Sequence, residues 1–324
     1  MATIDHAVTA LRAGELIAFP TETVYGLGAN AADVDAVARI FALKGRPTDH
    51  PLIVHIGDQG QLLHWVADIP PIAAQLAARF WPGPLTLILP KAAHVNTVVT
   101  GGQDSIGIRV PAHPIAQQLL SQFGGAIAAP SANRYGRLSP TSAEHVREEF
   151  GDAVKVVLDG GESPIGLEST IVACLGNVAR LLRPGFITRT QIEQIVGKLA
   201  ESGDAGPRAS GDRPQHYAPF TRLEIIASAQ LEESAAEFSS GDCQVAVLAM
   251  RPAMRALRHV TWIDAGGKPA PYAHNLYHHL RTLDRLDCTR ILVEAPPALE
   301  EWSAVLDRLQ RASGQGRPVG MDCG

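Results

Sequence analysis

The chain has 324 residues, of which 46% are hydrophobic and 19% are charged. This length is typical of two domains, and the apolar content is sufficient for a core in each. With 28 Lys and Arg against 33 Asp and Glu, the net charge of -5 argues against broad nucleic-acid binding, which requires a basic face.

Two further observations bear on where the protein works. No apolar stretch approaches the roughly 18 residues needed to span a bilayer. The N-terminus, Met-Ala-Thr-Ile-Asp-His, lacks the charged and apolar regions of a signal peptide. We therefore expect a cytoplasmic protein without a membrane segment.

Hydrophobic periodicity and turn residues predict alternating helices and strands over residues 1–200. The predicted helices span 3–13, Asp33–Leu43, Pro71–Phe80, 114–122, 142–150 and 188–200. The predicted strands are Leu16–Phe19, Leu52–Ile56, Leu85–Leu89, Ile106–Val110, Ala126–Ala129, Val154–Leu158 and Thr170–Cys174. Because the two kinds of element are interleaved, we expect an α/β domain with a mixed sheet.

The chain changes character after residue 200. Residues 201–215 are rich in Gly, Pro, Ser and charge, with little to bury, and this composition predicts a linker. The strands predicted beyond it are Leu223–Ile226, Val245–Leu248, Val260–Ile263 and Ile291–Val293, and the helices are 230–238, 271–286 and 300–312. This alternation predicts a small doubly wound, Rossmann-like α/β domain over residues 220–324.

Several basic residues lie among Gly, Pro and apolar runs, where they contribute little to solubility. Lys44 and Arg46 flank Gly45 in a Lys-Gly-Arg-Pro turn, Arg109 ends an apolar strand, and Arg183 precedes Pro-Gly. A cation beside a turn at a strand end is well placed to meet an anion in a cleft. Together these residues indicate a small polyanionic ligand, with a solvated basic turn as the alternative for Lys44 and Arg46.

Neutral hydrogen-bonding groups also cluster after predicted strands. Pro20–Gly28 brings threonines to the end of the first strand, and Ser131 and Asn133 follow Ala126–Ala129. Gly26–Ala31 matches the dinucleotide fingerprint G-x-G-x-x-A, but a Pro-Thr-Glu-Thr stretch separates it from the strand. We therefore interpret this segment as a substrate-contact loop rather than as a dinucleotide site or as packing glycines.

Other chemistries lack their sequence signatures. The chain contains no Walker A motif and no Gly-x-Ser-x-Gly elbow. The four cysteines form no Cys-x-x-Cys pair, so we expect reduced thiols and no structural zinc. His274 and His278 are spaced i, i+4, but the glutamate of a zincin is missing, and a solvated helix face is the simpler interpretation. We predict no metal site built by the protein.

A series of short motifs resembles the YrdC family. In order they are Pro-Thr-Glu-Thr-Val-Tyr-Gly-Leu-Gly (20–28), Lys-Gly-Arg-Pro (44–47), Pro-Leu-Ile-Val-His (51–55), Phe-Trp-Pro-Gly-Pro-Leu-Thr (80–86), Arg-Val-Pro (109–111), Pro-Ser-Ala-Asn (130–133), Glu-Ser-Thr-Ile-Val (168–172) and Leu-Arg-Pro-Gly (182–185). The segments 216–219, 272–277 and 291–296 resemble the long, two-domain form of that family. The resemblance implies a twisted mixed sheet with a concave substrate cleft.

The resemblance also implies an activity. Enzymes of this family form threonylcarbamoyl-AMP and pyrophosphate from L-threonine, bicarbonate and ATP. Their product serves a tRNA threonylcarbamoyl transferase complex that modifies the adenosine beside the anticodon. Mg²⁺ is expected to accompany the triphosphate, mostly through phosphates and water.

By this resemblance, the site residues divide into two groups. The residues expected on ATP are Lys44, Arg46, Thr48, Ser105, Ser131, Asn133, Ser139, Arg183, His216 and Tyr217, with Lys44 and Arg46 at the phosphates as the catalytic cations. The residues expected on threonine are Thr21, His55, Arg109 and Ser169, with Arg109 pairing the carboxylate. From the residues alone, His55 could equally be a core histidine. Residues 201–219 are expected to form a linker and a lid.

Two segments depart from the family pattern, and two other functions remain open. The linker reads Ser-Gly-Asp-Arg-Pro-Gln before His216, and residues 299–308 lack the glycine-rich, Asn-Asp-Arg-containing version. One alternative function is a YrdC-type RNA-binding module that contacts tRNA, against which the net charge argues. The other is a carbamoyl transferase of the hydrogenase-maturation type, which would carry zinc-finger and acylphosphatase-like segments that this sequence lacks.

Overall fold

The computed structural model describes residues 2–200, 206–211, 216–239 and 243–313, and these form two compact units. The first unit contains residues 2–135 and 139–211 of the described chain, and the second contains 136–138 and 216–313. The short segment 136–138 therefore belongs to the second unit although the chain on both sides of it belongs to the first.

The first unit is a mixed α/β structure. Its strands are β1 (Ile17–Phe19), β2 (Gly26–Asn30), β3 (Ile53–His55), β4 (Leu85–Pro90), β5 (Ser105–Arg109), β6 (Ile127–Ala128), β7 (Val156–Val157), β8 (Thr170–Leu175) and β9 (Val178–Arg183). Its α-helices are α1 (Ile4–Arg12), α2 (Val34–Lys44), α3 (Leu62–Trp65), α4 (Pro71–Phe80), α5 (Thr97–Thr100), α6 (Pro114–Phe123), α7 (Ala143–Phe150) and α8 (Arg189–Val196). Every helix and strand predicted in this part of the sequence is confirmed, with shifted ends.

The nine strands form one sheet in the order β7-β1-β2-β6-β3-β5-β4-β8-β9. Three neighbouring pairs are parallel (β1 with β7, β3 with β5, β4 with β8) and the other five are antiparallel, so the predicted mixed sheet is confirmed. Side chains alternate between its two faces as a pleated strand requires. Ala18 joins the large core cluster, whereas its neighbours Ile17 and Phe19 pack with Leu11 of α1 and Leu119 of α6 on the other face.

Local sequence signals fix the ends of α2, which carries two of the predicted site residues to their place. The Asp33 carboxylate caps the helix by accepting from the backbone N–H groups of Asp35 and Ala36, both at 3.0 Å. Gly45 ends it in the left-handed conformation, with φ of 64°. The chain thus turns sharply between Lys44 and Arg46.

The glycine-rich segment is a strand and not the expected loop. Gly26–Asn30 pairs antiparallel with β1 and β6, so the interpretation as a substrate-contact loop is wrong for these residues. A Cβ on Gly28 would lie 2.8 Å from Ile127 Cγ2 and 3.0 Å from the Phe19 ring. Glycine is required here because the side chains of Ile127 and Phe19 pack directly against the strand. Glycine has a low strand propensity, so the sequence analysis did not predict a strand at these residues.

The second unit is built on a parallel sheet. Its strands are β10 (Leu223–Ile226), β11 (Val245–Ala249), β12 (Val260–Asp264) and β13 (Arg290–Glu294), and its α-helices are α9 (Leu231–Phe238), α10 (Pro269–Asp284) and α11 (Ser303–Ala312). The strand order is β10-β13-β11-β12, with every pair parallel. The predicted Rossmann-like α/β architecture is confirmed.

Hydrogen bonds, an ion pair and a cation–π contact bind the segment 136–138 within the second unit. Arg137 lies 3.4 Å from the Asp284 carboxylate and 3.1 Å from the centre of the Phe220 ring. The carbonyl of Gly136 accepts from the Ala218 N–H at 2.9 Å. The carbonyl of Leu138 accepts from Arg281 at 2.6 Å.

Two remaining expectations concern the linker and the cysteines. Residues 206–211 contain no helix or strand, while 201–205 and 212–215 lie outside the described residues. Cys174 and Cys288 carry free thiols, but Cys243 is disulfide-bonded, so the prediction of four reduced cysteines is wrong for it. Spacing along a sequence does not show which thiols meet in space. Among the helices in the described residues, none is long and apolar enough to cross a membrane.

The central strands should control the stability of the first unit. Leu87 on β4 is fully buried in the large core cluster, whereas Leu63 is 70% exposed. We expect Leu87→Ala to lower the free energy of unfolding by about 2–5 kcal/mol, because it removes buried methyl groups and leaves a cavity. The matched control Leu63→Ala should change it by less than about 0.5 kcal/mol. Urea denaturation followed by circular dichroism measures both, and equal effects would contradict the packing described.

Candidate active site

The loop after β1 packs its polar side chains around a buried arginine. Arg109, at the end of β5, is 3% exposed. Its Nη2 lies 2.7 Å from Glu22 Oε1, its Nη1 donates to Thr23 Oγ1 at 2.8 Å, and its Nε donates to the carbonyl of Gly83 at 3.2 Å. The second oxygen of Glu22 accepts from the Ala112 N–H at 3.1 Å. The guanidinium is thereby held in one orientation by a carboxylate, a hydroxyl and a carbonyl.

Thr21 organises the same loop. Its Oγ1 donates to the Val24 carbonyl at 2.6 Å, accepts from the backbone N–H of Thr23 at 3.2 Å, and lies 2.8 Å from Thr23 Oγ1. Its hydroxyl is therefore the centre of a tight turn. The sequence predicted a threonine-binding role for Thr21, and the structure brings it next to Thr23, which contacts Arg109.

His55 lies beside Arg109 because of strand register. β3 and β5 are parallel, and His55 pairs with Arg109 across them. The ring is 4% exposed, meets the Phe19 ring edge-on at 5.8 Å, and its Nδ1 has no hydrogen-bond partner in the described residues. Burial, followed by the positive charge of Arg109, lowers the pKa of His55 from 6.5 to about 3. The imidazole is therefore neutral, with a buried nitrogen near the guanidinium.

Lys44 joins the end of α2 to the chain that follows β6. Its ammonium donates to the carbonyl of Ser131 at 2.6 Å and also to the carbonyl of Asn133. The side chain is 3% exposed. Burial, followed by the nearby charge of Arg46, lowers the pKa of Lys44 well below its usual value, while Glu149 opposes the shift. Lys44 therefore lies beside Ser131 and Asn133, which the family resemblance groups with it as expected ATP contacts.

Arg46 and Arg183 reach the site from different elements. Arg46 Nη2 donates to the carbonyl of Pro51 at 2.9 Å and to Ser210 Oγ at 3.3 Å. Arg183, at the end of β9, donates from Nε to the carbonyl of Ser169 at 3.0 Å and from Nη2 to Ser169 Oγ at 3.1 Å. Its Nη1 donates to the carbonyl of Ser210 at 2.9 Å. These partners are neutral oxygens, which orient a guanidinium without cancelling its charge.

The loop before α7 and the start of β8 are joined by one short hydrogen bond. Ser139 is fully buried and donates to Glu168 Oε1 at 2.5 Å. The neighbouring Ser169 Oγ lies 2.8 Å from Thr86 Oγ1. A Cβ on Gly185 would lie 2.4 Å from the backbone nitrogen of Thr170, so only glycine allows β9 to end against β8 here.

The remaining predicted residues are placed differently. Ser105 is buried at the start of β5, opposite Pro90. Thr48 is exposed, and the site's hydrogen bonds between described residues do not include it. His216 and Tyr217 belong to the second unit. There the His216 N–H donates to the carbonyl of Arg311 at 3.1 Å, and the two rings meet edge-on at 4.0 Å.

Sequence reasoning missed three supporting residues. Glu22, Thr23 and Glu168 were read only as parts of motifs, yet they hold Arg109 and Ser139. Glutamate is rarely buried without a partner. An acid inside an otherwise uncharged motif, as in Pro-Thr-Glu-Thr and Glu-Ser-Thr, was the signal that could have identified such a role.

The candidate site concentrates buried positive charge. Lys44, Arg46 and Arg183 each donate to neutral oxygens, and serine and asparagine residues lie beside them. Such a site suits a polyphosphate, whose charge develops during transfer, because preoriented donors stabilise it without reorganising. A histidine as buried and as neutral as His55 suits hydrogen bonding better than proton transfer at neutral pH.

Two family models together match nearly the whole chain. The family model Sua5/yciO/yrdC, described as "Telomere recombination", matches residues 9–185, and the model "Threonylcarbamoyl-AMP synthase, C-terminal domain" matches residues 187–314. The chain belongs to the Sua5/YciO/YrdC family.

Relatives of this family match both units. A threonylcarbamoyl-AMP synthase of Pyrococcus abyssi is 42% identical over 94% of this chain and 92% of its own length. One of Bacillus subtilis is 40% identical over 98% of this chain and 94% of its own. The crystal structure of P. abyssi Sua5 complexed with L-threonine superposes with a TM-score of 0.88, at 42% identity, covering 96% of this chain and 94% of that one. The two-domain form of the Sua5/YciO/YrdC family is therefore present here.

The neutral state of His55 predicts a pH dependence of stability. Between pH 6.5 and about 3 the unfolded chain binds a proton on His55 that the folded chain excludes. The free energy of unfolding should therefore fall as pH decreases through this window, by up to about 1.4 kcal/mol per pH unit from this group, and the full contribution is present above pH 6.5.

We expect His55→Gln to flatten this slope between pH 7.5 and 4.5, and the exposed His64→Gln to leave it unchanged. Urea denaturation at a series of pH values measures the slope directly. Parallel slopes for wild type and His55→Gln would show that the imidazole is not held neutral.

Proposed function

We propose that this chain is an L-threonylcarbamoyladenylate synthase. It forms threonylcarbamoyl-AMP and pyrophosphate from L-threonine, bicarbonate and ATP, as a nucleotidyltransferase serving tRNA threonylcarbamoyladenosine modification. The observation that carries this proposal is the match, over nearly the whole chain and both units, to relatives named threonylcarbamoyl-AMP synthase. The cluster of buried cations supports it independently of the names.

The chemistry needs positioning more than it needs reactive side chains. The threonine amine combines with bicarbonate to form a carbamate and water. A carbamate oxygen then attacks the α-phosphorus of ATP, a new P–O bond forms, and pyrophosphate leaves. No protein nucleophile takes part, so the rate enhancement rests on orientation and on stabilising charge at phosphorus.

We assign the ATP subsite to the cations held by neutral oxygens. Lys44 and Arg46 would act on the phosphates as the catalytic cations, with Arg183 beside them. Further ATP contacts are proposed for Thr48, Ser105, Ser131, Asn133 and Ser139, and for His216 and Tyr217 on a lid within 201–219. Support comes from the carbonyls of Ser131 and Asn133, which aim the Lys44 ammonium. The buried ammonium, whose pKa is lowered, would regain its full charge beside an anion.

We assign the threonine subsite to Thr21, His55, Arg109 and Ser169. Arg109 would bind the amino-acid carboxylate through the N–H groups that Glu22, Thr23 and Gly83 leave over. Glu22 would fix the guanidinium plane in advance. The neutral His55, with a buried nitrogen, would accept a hydrogen bond from the threonine ammonium or hydroxyl.

Two further partners follow from the same proposal. Mg²⁺ would accompany ATP and bind mainly through its phosphates and water. The labile product would pass to a tRNA threonylcarbamoyl transferase complex, and the enzyme would then work in the cytoplasm, beside tRNA.

The ATP subsite is tested by removing its most buried cation. Lys44→Ala should lower kcat/KM for ATP by about 10²–10³, because a preoriented charge at the phosphates is lost. The control Lys155→Ala removes an exposed lysine and should leave the rate unchanged. Pyrophosphate release from ATP and bicarbonate, with and without L-threonine, measures both. Release from the wild type that ignores threonine would refute the synthase assignment.

The threonine subsite is tested through the geometry of its cation. Arg109→Lys keeps the charge but removes the planar fork, so the KM for threonine should rise about tenfold while the KM for ATP stays within about twofold. Arg147→Lys, at a half-exposed surface arginine, is the matched control. Steady-state kinetics with each substrate varied in turn separate the two constants. A selective rise in the ATP constant would place Arg109 in the wrong subsite.

A further inference from the structure

Residues 206–211, which we call the strap, lie along the first unit and are bound to it at three points. The backbone N–H of Arg208 donates to Gln103 Oε1 at 2.7 Å, and Gln103 Nε2 donates back to the Arg208 carbonyl at 3.1 Å. Arg208 Nη2 also donates to the carbonyl of Gly101 at 2.7 Å. Ala209 is 3% exposed and packs in an apolar cluster with Ile53, Ile88, Ile171 and Ala173. The strap is therefore part of the packed first unit.

The next residue of the strap, Ser210, connects two arginines of the proposed ATP subsite. Its hydroxyl accepts from Arg46 Nη2 at 3.3 Å and donates to the carbonyl of Pro51 at 2.8 Å. Its carbonyl accepts from Arg183 Nη1 at 2.9 Å. Arg46 follows α2 and Arg183 ends β9, so these arginines come from separate parts of the sheet. Both of the oxygen atoms of Ser210 are used, one on each guanidinium.

We propose that Ser210 is a positioning residue for ATP binding, which sets the Arg46 and Arg183 guanidinium groups in the orientation that receives the phosphates. Its hydroxyl and carbonyl are neutral, so these two contacts orient the guanidinium groups without compensating their charge. Arginine presents five N–H groups in a rigid fork, and fixing some of them fixes the direction of the others. On Arg183, three N–H groups donate to Ser169 and Ser210. The other two N–H groups of the Arg183 guanidinium would then donate to a phosphate.

The packing of Ala209 and the hydrogen bonds of Arg208 explain how Ser210, in the predicted linker, can orient two guanidinium groups. A hydroxyl on a loose segment would lose entropy each time it met an arginine. Here the strap is already ordered, because Ala209 is buried and the backbone of Arg208 forms reciprocal hydrogen bonds with Gln103. Ser210 thus arrives with its orientation already determined, which is the condition for preorganised binding.

The inference rests on the proposed function only for the identity of the anion, and the test uses two readouts. Steady-state pyrophosphate release gives the KM for ATP and for threonine separately. Calorimetry with the unreactive α,β-methylene analogue of ATP gives the affinity of the full chain without turnover. The variants are Ser210→Ala, which removes the hydroxyl, and Ser210→Thr, which keeps a hydroxyl at this half-buried position. Ser121→Ala, on the exposed side of α6, is the matched control.

We expect Ser210→Ala to raise the KM for ATP and the dissociation constant of the analogue by about three- to tenfold, the range of one lost hydrogen bond. The KM for threonine should stay within about twofold. Ser210→Thr should restore ATP binding, and Ser121→Ala should resemble wild type. If Ser210 had only a structural role, Ser210→Ala would change the KM for ATP and the KM for threonine together. The Ser210→Thr variant would then not restore ATP binding.

Unchanged analogue binding in Ser210→Ala, parallel changes in both KM values, or failure of Ser210→Thr to recover would each overturn the proposal. These outcomes are distinct from failure of the synthase assignment. That failure would appear as the absence of threonine-dependent pyrophosphate release in the wild type, while the calorimetric comparison would still report on Ser210.

Discussion

Burial of positive charge is the constraint on which the first unit depends. Lys44, Arg46, Arg109 and Arg183 are each less than a tenth exposed. Removing a charge from water is costly unless hydrogen bonds replace its hydration. Backbone carbonyls and hydroxyls do so at Lys44 and Arg183, and a carboxylate does so at Arg109. The difference separates two environments within one site. Cations on neutral oxygens keep their attraction for a phosphate, whereas Glu22 compensates part of the charge of Arg109 and fixes the plane of its guanidinium.

The sheet positions the oxygen atoms that accept hydrogen bonds from these buried cations. Parallel register puts His55 beside Arg109, and the glycines of β2 and Gly185 allow backbones to approach where a Cβ would collide. In the second unit, one buried carboxylate likewise accepts hydrogen bonds at the ends of the parallel strands. Glu294 accepts from Ser228 Oγ at 2.5 Å and from the Met250 N–H at 2.6 Å, so a single carboxylate joins three strand ends.

The sequence was sufficient for every predicted helix and strand, because apolar periodicity and caps such as Asp33 are local signals. It was also sufficient to select the buried cations, since a lysine or arginine between apolar runs and glycines has few other uses. It was not sufficient for β2, whose glycines carry no strand propensity, or for β9. Nor could it reveal that Arg109 pairs with Glu22, 87 residues away, because that contact depends on how distant strands align.

The segment 136–138 limits how the second unit could be exchanged by genetic recombination. Arg137 contacts Asp284 and Phe220, so the second unit draws three residues from the middle of the first unit's sequence. A genetic crossover at residues 201–215 would import a new second unit but leave Arg137 behind, without the carboxylate and the aromatic ring that accommodate it. The two units are therefore inherited most safely as a pair, and modular exchange at the linker would demand compensating change some 70 residues upstream.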